Sequence, residues 1–371
     1  MEDTMVPKQA LPALGVVAML LLAGCGSLGG GTQSPAAAET DRTVVDAVPA
    51  KAEIVVVADP VGLATDPTTE TVANELLSDF GQPANYSEIQ ETAFQQANRN
   101  LSATFSELGA DANLTVSGIG RLATFSTQPA GLASPSQAGA EYGGVIVQAD
   151  LTAAEVASLY EQGTAELPER AQDSVMETTY NGVPFYRFNG SSYPNAVAGQ
   201  QLPQTQSTAF AVLDSEAGLH AAGTPQAVRD AVDTYLGEAP GVAEDIRPQV
   251  TDRTYLSAGV NATATDIESL SQDGSLPGNA TSVTGALRTG EETVSVEFAV
   301  TFDTATAAQT AADQARQNLS ADAPYDTSVS VDGQTAQTTL TATATETADG
   351  IQQLIQQFAG TGMASNSAAS S

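Results

Sequence analysis

The chain has 371 residues, of which 44 are acidic and 12 basic, and its formal net charge is −32. A chain this acidic repels nucleic acid and anionic membrane surfaces, so nucleic acid is excluded as a partner. The single cysteine excludes an internal disulfide, and stability must therefore come from an apolar core and from solvated cations.

The acidity also predicts the solvent in which the protein is stable. The charge is spread between apolar segments and 42% of the residues are hydrophobic, so we expect a folded acidic surface rather than a disordered tail. Molar salt shortens the Debye length to roughly 3 Å and relieves the repulsion among carboxylates. The composition therefore indicates a protein of a halophile.

An apolar run at residues 10–23 ends in the motif Leu22-Ala23-Gly24-Cys25. The run has the length of a signal-peptide core and is short for a membrane-spanning helix. Small residues before a cysteine suit a lipoprotein signal peptidase, and the cysteine thiol can be joined to a lipid through a thioether. We therefore predict a signal peptide at 1–24, lipidation of Cys25, and an extracellular location on the outer face of the cell membrane.

The first elements after the leader can be read from composition and periodicity. Residues 25–46 comprise the lipidated cysteine and a flexible tether rich in small and polar side chains. A β-branched run at 53–58 predicts a buried strand. Two helices are expected next, the first capped by Thr68 or Thr69 and the second opening at the capping box Ser87-x-x-Gln90.

Hairpins and strand-to-helix transitions follow. Strands are predicted at 114–125 and 142–149, with a helix opening at Thr152. The pair Asn181-Gly182 favours a type I′ turn between two strands. Pro184 then predicts that the second of these strands is an edge strand or contains a bulge.

A second hairpin is predicted at 208–213 and 219–222, and it runs into a helix with Thr224 as N-cap and Pro225 at the first helical position. The helix carries an apolar stripe, which predicts five buried residues: Val228, Ala231, Val232, Tyr235 and Leu236.

The order of strands and helices predicted for the first part of the chain then recurs. A further hairpin turns at Asp332-Gly333 and precedes a last helix.

We predict an α+β fold of mixed or antiparallel sheets with packed helices, in two related halves. The boundaries are 1–24 for the signal peptide, 25–46 for the lipidated cysteine and tether, 47–250 and 251–358 for the halves, and 359–371 for a disordered tail.

Three stretches together carry a family resemblance: the leader motif, the phrase Pro49-Ala50-x-Ala52-x-x-Val55-Val56, and the hairpin that runs into Gly223-Thr224-Pro225-x-Ala227-Val228-x-x-Ala231-Val232. With them the chain resembles uncharacterised surface lipoproteins of halophilic archaea, over residues 48–358. It is similar more broadly to extracytoplasmic families with repeated strand-helix halves. The resemblance implies a location and an architecture, and it carries over no catalytic residue.

Side chains capable of catalysis or metal binding are sparse. His220 is the only histidine and lies in a strand-like stretch without a Gly-x-Ser-x-Gly elbow, so we interpret it as an ordinary strand residue. Loop carboxylates such as Asp59 and Asp66 are the candidates for a divalent cation, but the sequence contains no calcium-loop motif. We therefore predict no catalytic residue, no metal site and no cofactor.

Acceptor motifs for N-glycosylation are enriched. Seven of the twelve asparagines begin N-x-[ST], where roughly two or three are expected by chance. Asn100 lies in a predicted helix and is the poorest candidate, whereas Asn189 and Asn279 are the best. The predicted sites are Asn85, Asn113, Asn189, Asn261, Asn279 and Asn318.

These observations predict a lipid-anchored cell-surface protein with a non-catalytic binding or envelope-structural role. A solute-binding lipoprotein of a transporter is the alternative, and an extracellular hydrolase is the third possibility. The expected partners are the membrane, reached through the lipid, and envelope or transporter proteins.

Overall fold

The computed structural model describes residues 43–79, 86–88, 90–92, 95, 118–127, 142–149, 175–188, 208–251, 253–261, 280–318 and 325–351. Twelve strands in this part of the chain form one sheet in the order β11-β12-β10-β9-β8-β1-β2-β3-β7-β6-β5-β4. Their bounds are β1 Ile54–Ala58, β2 Ile119–Ser126, β3 Gly143–Ala149, β4 Val175–Tyr180, β5 Val183–Phe188, β6 Thr208–Asp214, β7 Leu219–Gly223, β8 Thr254–Asn261, β9 Ala280–Thr289, β10 Thr293–Phe302, β11 Asp326–Asp332 and β12 Thr335–Thr343.

All the registered pairings between these strands are antiparallel. The α-helices that accompany them in the described residues include α1 Pro60–Thr65, α2 Pro67–Asp79, α3 Pro225–Leu236 and α4 Ala305–Asn318, and residues 86–88, 90–92 and 95 are also helical. Short 3-10 helices span Val44–Ala47 and Glu244–Ile246, and residues 344–351 are helical. The α+β class with a large antiparallel sheet is confirmed.

Strand β1 lies at the middle of the sheet and pairs with β2 on one side and β8 on the other. Three of its four β-branched side chains are buried, with Val55 fully buried and Val57 3% exposed, whereas Val56 on the opposite face is half-buried. Alternate residues of a strand point to opposite faces, so Val55 and Val57 share one face. On that face they join Ile146 and Phe185 in a core that α3 covers with Val228 and Val232.

The start of α2 differs from the expectation that Thr68 or Thr69 caps it. Asp66 is the capping side chain, because its Oδ1 accepts hydrogen bonds from the backbone N–H groups of both threonines, at 2.9 and 3.1 Å. Thr68 is instead buried and donates its hydroxyl to the Gly290 carbonyl at 3.0 Å. A carboxylate is a stronger acceptor for these orphan N–H groups than a hydroxyl, and it interacts favourably with the helix dipole.

The hairpin at Asn181-Gly182 is confirmed, with φ of 49° and 84° at the two turn residues. The expectation for Pro184 is wrong, because β5 pairs with both β4 and β6 and is an internal strand. Its registered pairs with β6 begin at Phe185, so the proline lies just before that ladder, where its missing N–H costs no pairing to β6.

Helix α3 begins as predicted. Thr224 Oγ1 accepts from the Ala227 N–H at 3.4 Å, Pro225 occupies the first turn, and Gly237 ends the helix in the left-handed conformation with φ of 77°. Leu236 is the exception in the predicted stripe, since it is 38% exposed whereas the other four residues are buried. It directly precedes the left-handed cap, where the last turn of the helix leaves the core.

The β10, β11 and β12 end of the sheet packs against α4, which buries Ala308 and Ala312 completely. A second small core joins Val72 of α2 to Ala344 and Ala348. The register places polar side chains of β9, β10 and β12 on one sheet face, and there Glu297 contacts Arg288 at 3.4 Å and Gln337 at 2.6 Å.

One sheet continues across the boundary predicted at residue 250, because β8 pairs with β1. Strands β1, β2 and β3 follow one another and are joined by β7 and then β6, while β8, β9 and β10 are joined by β12 and then β11. The predicted signal peptide, most of the tether, the helix opening at Thr152 and the C-terminal tail lie outside the described residues.

Candidate functional site

Most of the predicted modification sites lie outside the described residues, namely Cys25, Asn85, Asn100, Asn113, Asn189 and Asn279. Asn261 ends β8 and is half-buried, and its backbone N–H donates to the Glu53 carbonyl at 2.7 Å. Asn318 is the last residue of α4.

His220 lies within β7, between Val147 of β3 and Val212 of β6, and is fully buried. Its ring stacks on Phe210, with ring centroids 5.6 Å apart and an angle of 28° between the planes. The interpretation of His220 as a strand residue is confirmed. A general base must reach the proton that it abstracts from a substrate, and a fully enclosed ring does not meet this requirement.

The two candidate carboxylates, Asp59 and Asp66, are both buried and both lie at helix N-termini. Asp59 caps α1, since its Oδ1 accepts from the Gly62 N–H at 2.7 Å, and its Oδ2 lies 3.5 Å from Arg121 Nε. Asp59 and Asp66 therefore share a capping role.

Asp66 accepts four hydrogen bonds. Besides the two backbone N–H groups at Oδ1, its Oδ2 accepts from the hydroxyls of Tyr255 and Thr289, each at 2.9 Å. Burial, followed by the hydrogen bond to Asp66, raises the pKa of Tyr255 to about 12, so the phenol stays protonated and donates. The acceptor sites of Asp66 are thus filled by the protein itself.

Other aspartates repeat this arrangement along α3. Asp230 Oδ2 accepts from the Tyr142 hydroxyl at 3.1 Å and from Lys51 Nζ at 2.8 Å. Burial and the neighbouring Asp230 raise the pKa of Tyr142 well above its ordinary value. Lys51 lies just before β1 and Tyr142 just before β3, so the two contacts hold the segments that lead into these strands against α3.

The next turn of α3 holds the β4–β5 hairpin. Asp233 Oδ2 accepts from the Tyr180 hydroxyl at 2.9 Å, and its Oδ1 accepts from Asn181 Nδ2 at 2.9 Å. Burial and the bond to Asp233 raise the pKa of Tyr180. The Arg229 guanidinium lies 5.7 Å from the ring centroids of both Tyr180 and Phe185, a cation–π distance.

A shallow groove of ≈ 330 Å³ lies beside this hairpin and the β6–β7 turn. Its acidic side chains are Asp214 and Glu216, and Asp214 Oδ2 accepts from the Tyr235 hydroxyl at 2.6 Å. Within the described residues, no three or more His, Cys, Asp or Glu side chains are grouped so that they could hold a metal ion. The arrangement can tie helices to strands.

These aspartate–tyrosine contacts join residues far apart in the chain and are not predictable from the sequence pattern. Residues 66 and 255 are 189 positions apart, and residues 142 and 230 are 88 apart, so no local spacing connects them. The available signal was the excess of acidic side chains over lysines, which predicts that neutral donors must satisfy many carboxylates.

Neither a family model nor a curated protein matches the chain. Similar solved structures include crystal forms III, I and IV of TP0453. They have TM-scores of 0.39, 0.38 and 0.36 and identities of 9%, 9% and 8%. The alignments cover 84%, 85% and 83% of this chain and 99%, 99% and 96% of those chains. At scores this low the likeness supports no conclusion about function.

None of the helices in the described part of the chain is long and apolar enough to cross a membrane.

Proposed function

We propose that this chain is a lipid-anchored cell-surface protein of a halophile with a non-catalytic binding or envelope-structural role. The observation that carries the proposal is the leader, in which an apolar run ends in Leu22-Ala23-Gly24-Cys25. The tether predicted at 25–46, rich in Gly, Ser, Thr, Pro and Ala, then holds the folded part away from the bilayer. Its predicted end is too late, because Val44 and Val45 are buried in a 3-10 helix that belongs to the folded part.

The aspartate contacts support a structural rather than catalytic use of the buried carboxylates. The carboxylate of Asp66 accepts four hydrogen bonds from its own chain. Asp230 and Asp233 each accept one from a tyrosine hydroxyl. A catalytic carboxylate needs an acceptor site open to substrate or water. These carboxylates instead connect α2 and α3 to the sheet.

The sheet favours this role over that of a solute-binding lipoprotein. Two lobes of that class carry doubly wound parallel sheets with a cleft between them, whereas the strand pairs described here are antiparallel and belong to one sheet. A cross-linked pull-down of the native protein from its membrane in high salt separates the two: envelope glycoproteins support the proposal, and transporter subunits support the alternative.

A hydrolase remains the third possibility, and the burial of His220 argues against it. A triad in this chain depends on that one imidazole, because it is the only histidine.

A duplication is the proposed origin of the two halves, 47–250 and 251–358. In each, three successive strands are joined by the second strand of a later hairpin, β7 beside β3 and β12 beside β10. Residues 147–150, at the β3 end, resemble residues 300–303, which lead from β10 into α4. An experimental structure tests this, since a helix at 152–160 must occupy the place on β3 that α4 occupies on β10.

Lipidation is tested by Cys25→Ser, with Ser27→Ala as the matched control. The serine hydroxyl cannot accept the lipid thioether, so C25S should leave the membrane pellet for the medium or accumulate as an unprocessed precursor. S27A should stay in the pellet with the mass of the lipidated protein. Unchanged fractionation and unchanged mass of C25S would overturn the anchor at Cys25.

Glycosylation is tested by glycopeptide mass spectrometry of the native protein. We expect a glycan on Asn189 or Asn279. Seven bare acceptor motifs would show that their enrichment follows only from the Asn, Ser and Thr content.

A further inference from the structure

The β4–β5 turn contains a side-chain amide, that of Asn181, which can react with the backbone nitrogen of the next residue. Asn181 and Gly182 are both exposed, and both have left-handed backbone conformations, with φ of 49° and 84°. No heavy atom lies within 4 Å of the position that a Cβ on Gly182 would take. The turn is therefore uncrowded at Gly182, and glycine places no side chain beside the nitrogen that would attack the neighbouring amide.

The Asn181 amide is held by two carboxylates. Its Nδ2 donates to Asp233 Oδ1 at 2.9 Å and to Glu238 Oε2 at 2.7 Å. Carboxylates at neutral pH only accept hydrogen bonds, so the amide nitrogen and not the amide oxygen must face them. The side chain thereby joins the hairpin to the last turn of α3 and the residue after its cap.

We propose that Asn181-Gly182 is a deamidation site, which the folded protein protects by these two hydrogen bonds and whose conversion weakens the attachment of the hairpin to α3, leaving the Tyr180 contact with Asp233 to hold it. In the reaction the Gly182 nitrogen attacks Asn181 Cγ and loses its proton. The Cγ–Nδ2 bond breaks, and ammonia leaves. Water then opens the resulting cyclic imide at either carbonyl and yields aspartate or isoaspartate.

The protection follows from which atom leaves. Nδ2 is the leaving nitrogen and is also the atom that Asp233 and Glu238 hold, so ammonia can depart only after both hydrogen bonds break. Local opening of the hairpin or unfolding of the domain removes them. Asparagine is among the thermolabile residues, and glycine places no side chain in the path of attack.

The product cannot remake the contact. An aspartate at position 181 puts a carboxylate oxygen where a donor stood, against the oxygens of Asp233 and Glu238, and three like charges then share one site. Isoaspartate also lengthens the backbone of a tight two-residue turn. Conversion is irreversible, so the converted fraction of the population rises with the total time that the hairpin has spent open.

Peptide mapping of the purified full chain tests the protection. Wild type is incubated at mildly alkaline pH in molar KCl and in urea, alongside folded Glu238→Ala and the remote control Glu291→Ala. We expect conversion at Asn181 to be fastest in urea, several-fold faster in E238A than in wild type, and unchanged in E291A. Equal rates in folded wild type and urea, or in E238A and wild type, would overturn the protection.

A charge cycle tests the consequence of conversion. Asn181→Asp mimics the product, whereas Asn181→Gly keeps the left-handed turn and removes the amide without adding charge. In the lowest salt that keeps wild type folded, the unfolding midpoint should fall by several degrees more in N181D than in N181G. Adding Glu238→Gln should raise the midpoint of N181D and lower that of wild type. Equal midpoints of N181D and N181G, or no rescue by E238Q, would overturn the repulsion.

Discussion

Several aspartates of this protein accept hydrogen bonds from tyrosine hydroxyls. Only Lys8 and Lys51 are lysines, and acidic residues outnumber all basic ones 44 to 12. In the part of the chain that the structure describes, four aspartates accept a tyrosine hydroxyl: Asp66, Asp214, Asp230 and Asp233. Salt screens ion pairs, whereas a buried hydrogen bond from a neutral donor is short-ranged and little affected. These contacts are therefore suited to brine.

The contact at Asp66 predicts a loss of stability in Asp66→Asn. The amide keeps one oxygen and turns an NH₂ group toward donors, so either the two backbone N–H groups of α2 or the two hydroxyls lose their acceptor. A lost cap and lost bonds to a charged acceptor together correspond to about 2 kcal/mol. Thermal unfolding in molar KCl should show a midpoint lower by roughly 4–8 °C.

The control for this substitution is Asp245→Asn, which removes one negative charge from an exposed position in the second 3-10 helix. It should leave the midpoint nearly unchanged. If D66N is as stable as D245N, the four hydrogen bonds at Asp66 do not stabilise the fold.

The backbone of the second 3-10 helix packs unusually close to strand β8. The 3-10 helix Glu244–Ile246 crosses β8 at Gly259, and a Cβ on that glycine would overlap the carbonyl oxygen and carbon of Ile246. The φ of Gly259 is not left-handed, so backbone conformation does not require a glycine there. The close approach of the Ile246 backbone does, because it leaves no room for a Cβ.

Gly259→Ala should therefore destabilise the protein by about 3 kcal/mol, the upper end of the overpacking range, because backbone atoms must move. Gly285→Ala on the neighbouring strand β9 is the matched control. Its nearest atoms lie 3.5 Å and more from the added Cβ, which is ordinary contact. Urea titration should show a large loss of unfolding free energy for G259A and little change for G285A. Equal losses would mean that the 3-10 helix does not cross β8 this closely.

Charge acts at the scale of the whole molecule. The net charge is −32, and the ion pairs of the described residues, such as Lys51 with Asp230 and Arg316 with Asp313, are partly exposed and weak. Lowering salt from molar to about 0.05 M lengthens the Debye length from roughly 3 Å to more than about 10 Å. Repulsion then acts over many carboxylate pairs at once.

Stability should consequently fall with salt, since native domains have only about 5–15 kcal/mol to lose. We expect the mature domain to lose its far-UV circular dichroism signal at low salt and to regain it in several molar KCl. A variant that neutralises Glu244, Asp245, Glu291 and Glu292, all exposed, should need less salt to stay folded. A melting temperature that is level across this range, in wild type and variant, would contradict the halophilic interpretation.

Local signals predicted much of this structure. The Asn181-Gly182 turn, the Thr224 cap with Pro225, and the β-branched strand at Ile54–Ala58 follow from backbone preferences and side-chain shape, which act over a few residues. The predicted leader and the net charge likewise depend on the sequence itself, so the predictions drawn from them need no tertiary contact.

Only the tertiary structure decided which distant groups meet. The pairing of β1 with β8 makes one sheet from the two predicted halves, and it brings Tyr255 to Asp66 and Gly259 under Ile246. Pro184 became internal because β6 pairs with β5, and Asp66 rather than Thr68 capped α2 because the threonine hydroxyl found the Gly290 carbonyl. Each outcome depends on contacts between segments far apart in the chain, whose geometry is set by the packing of the whole sheet and not by local propensity.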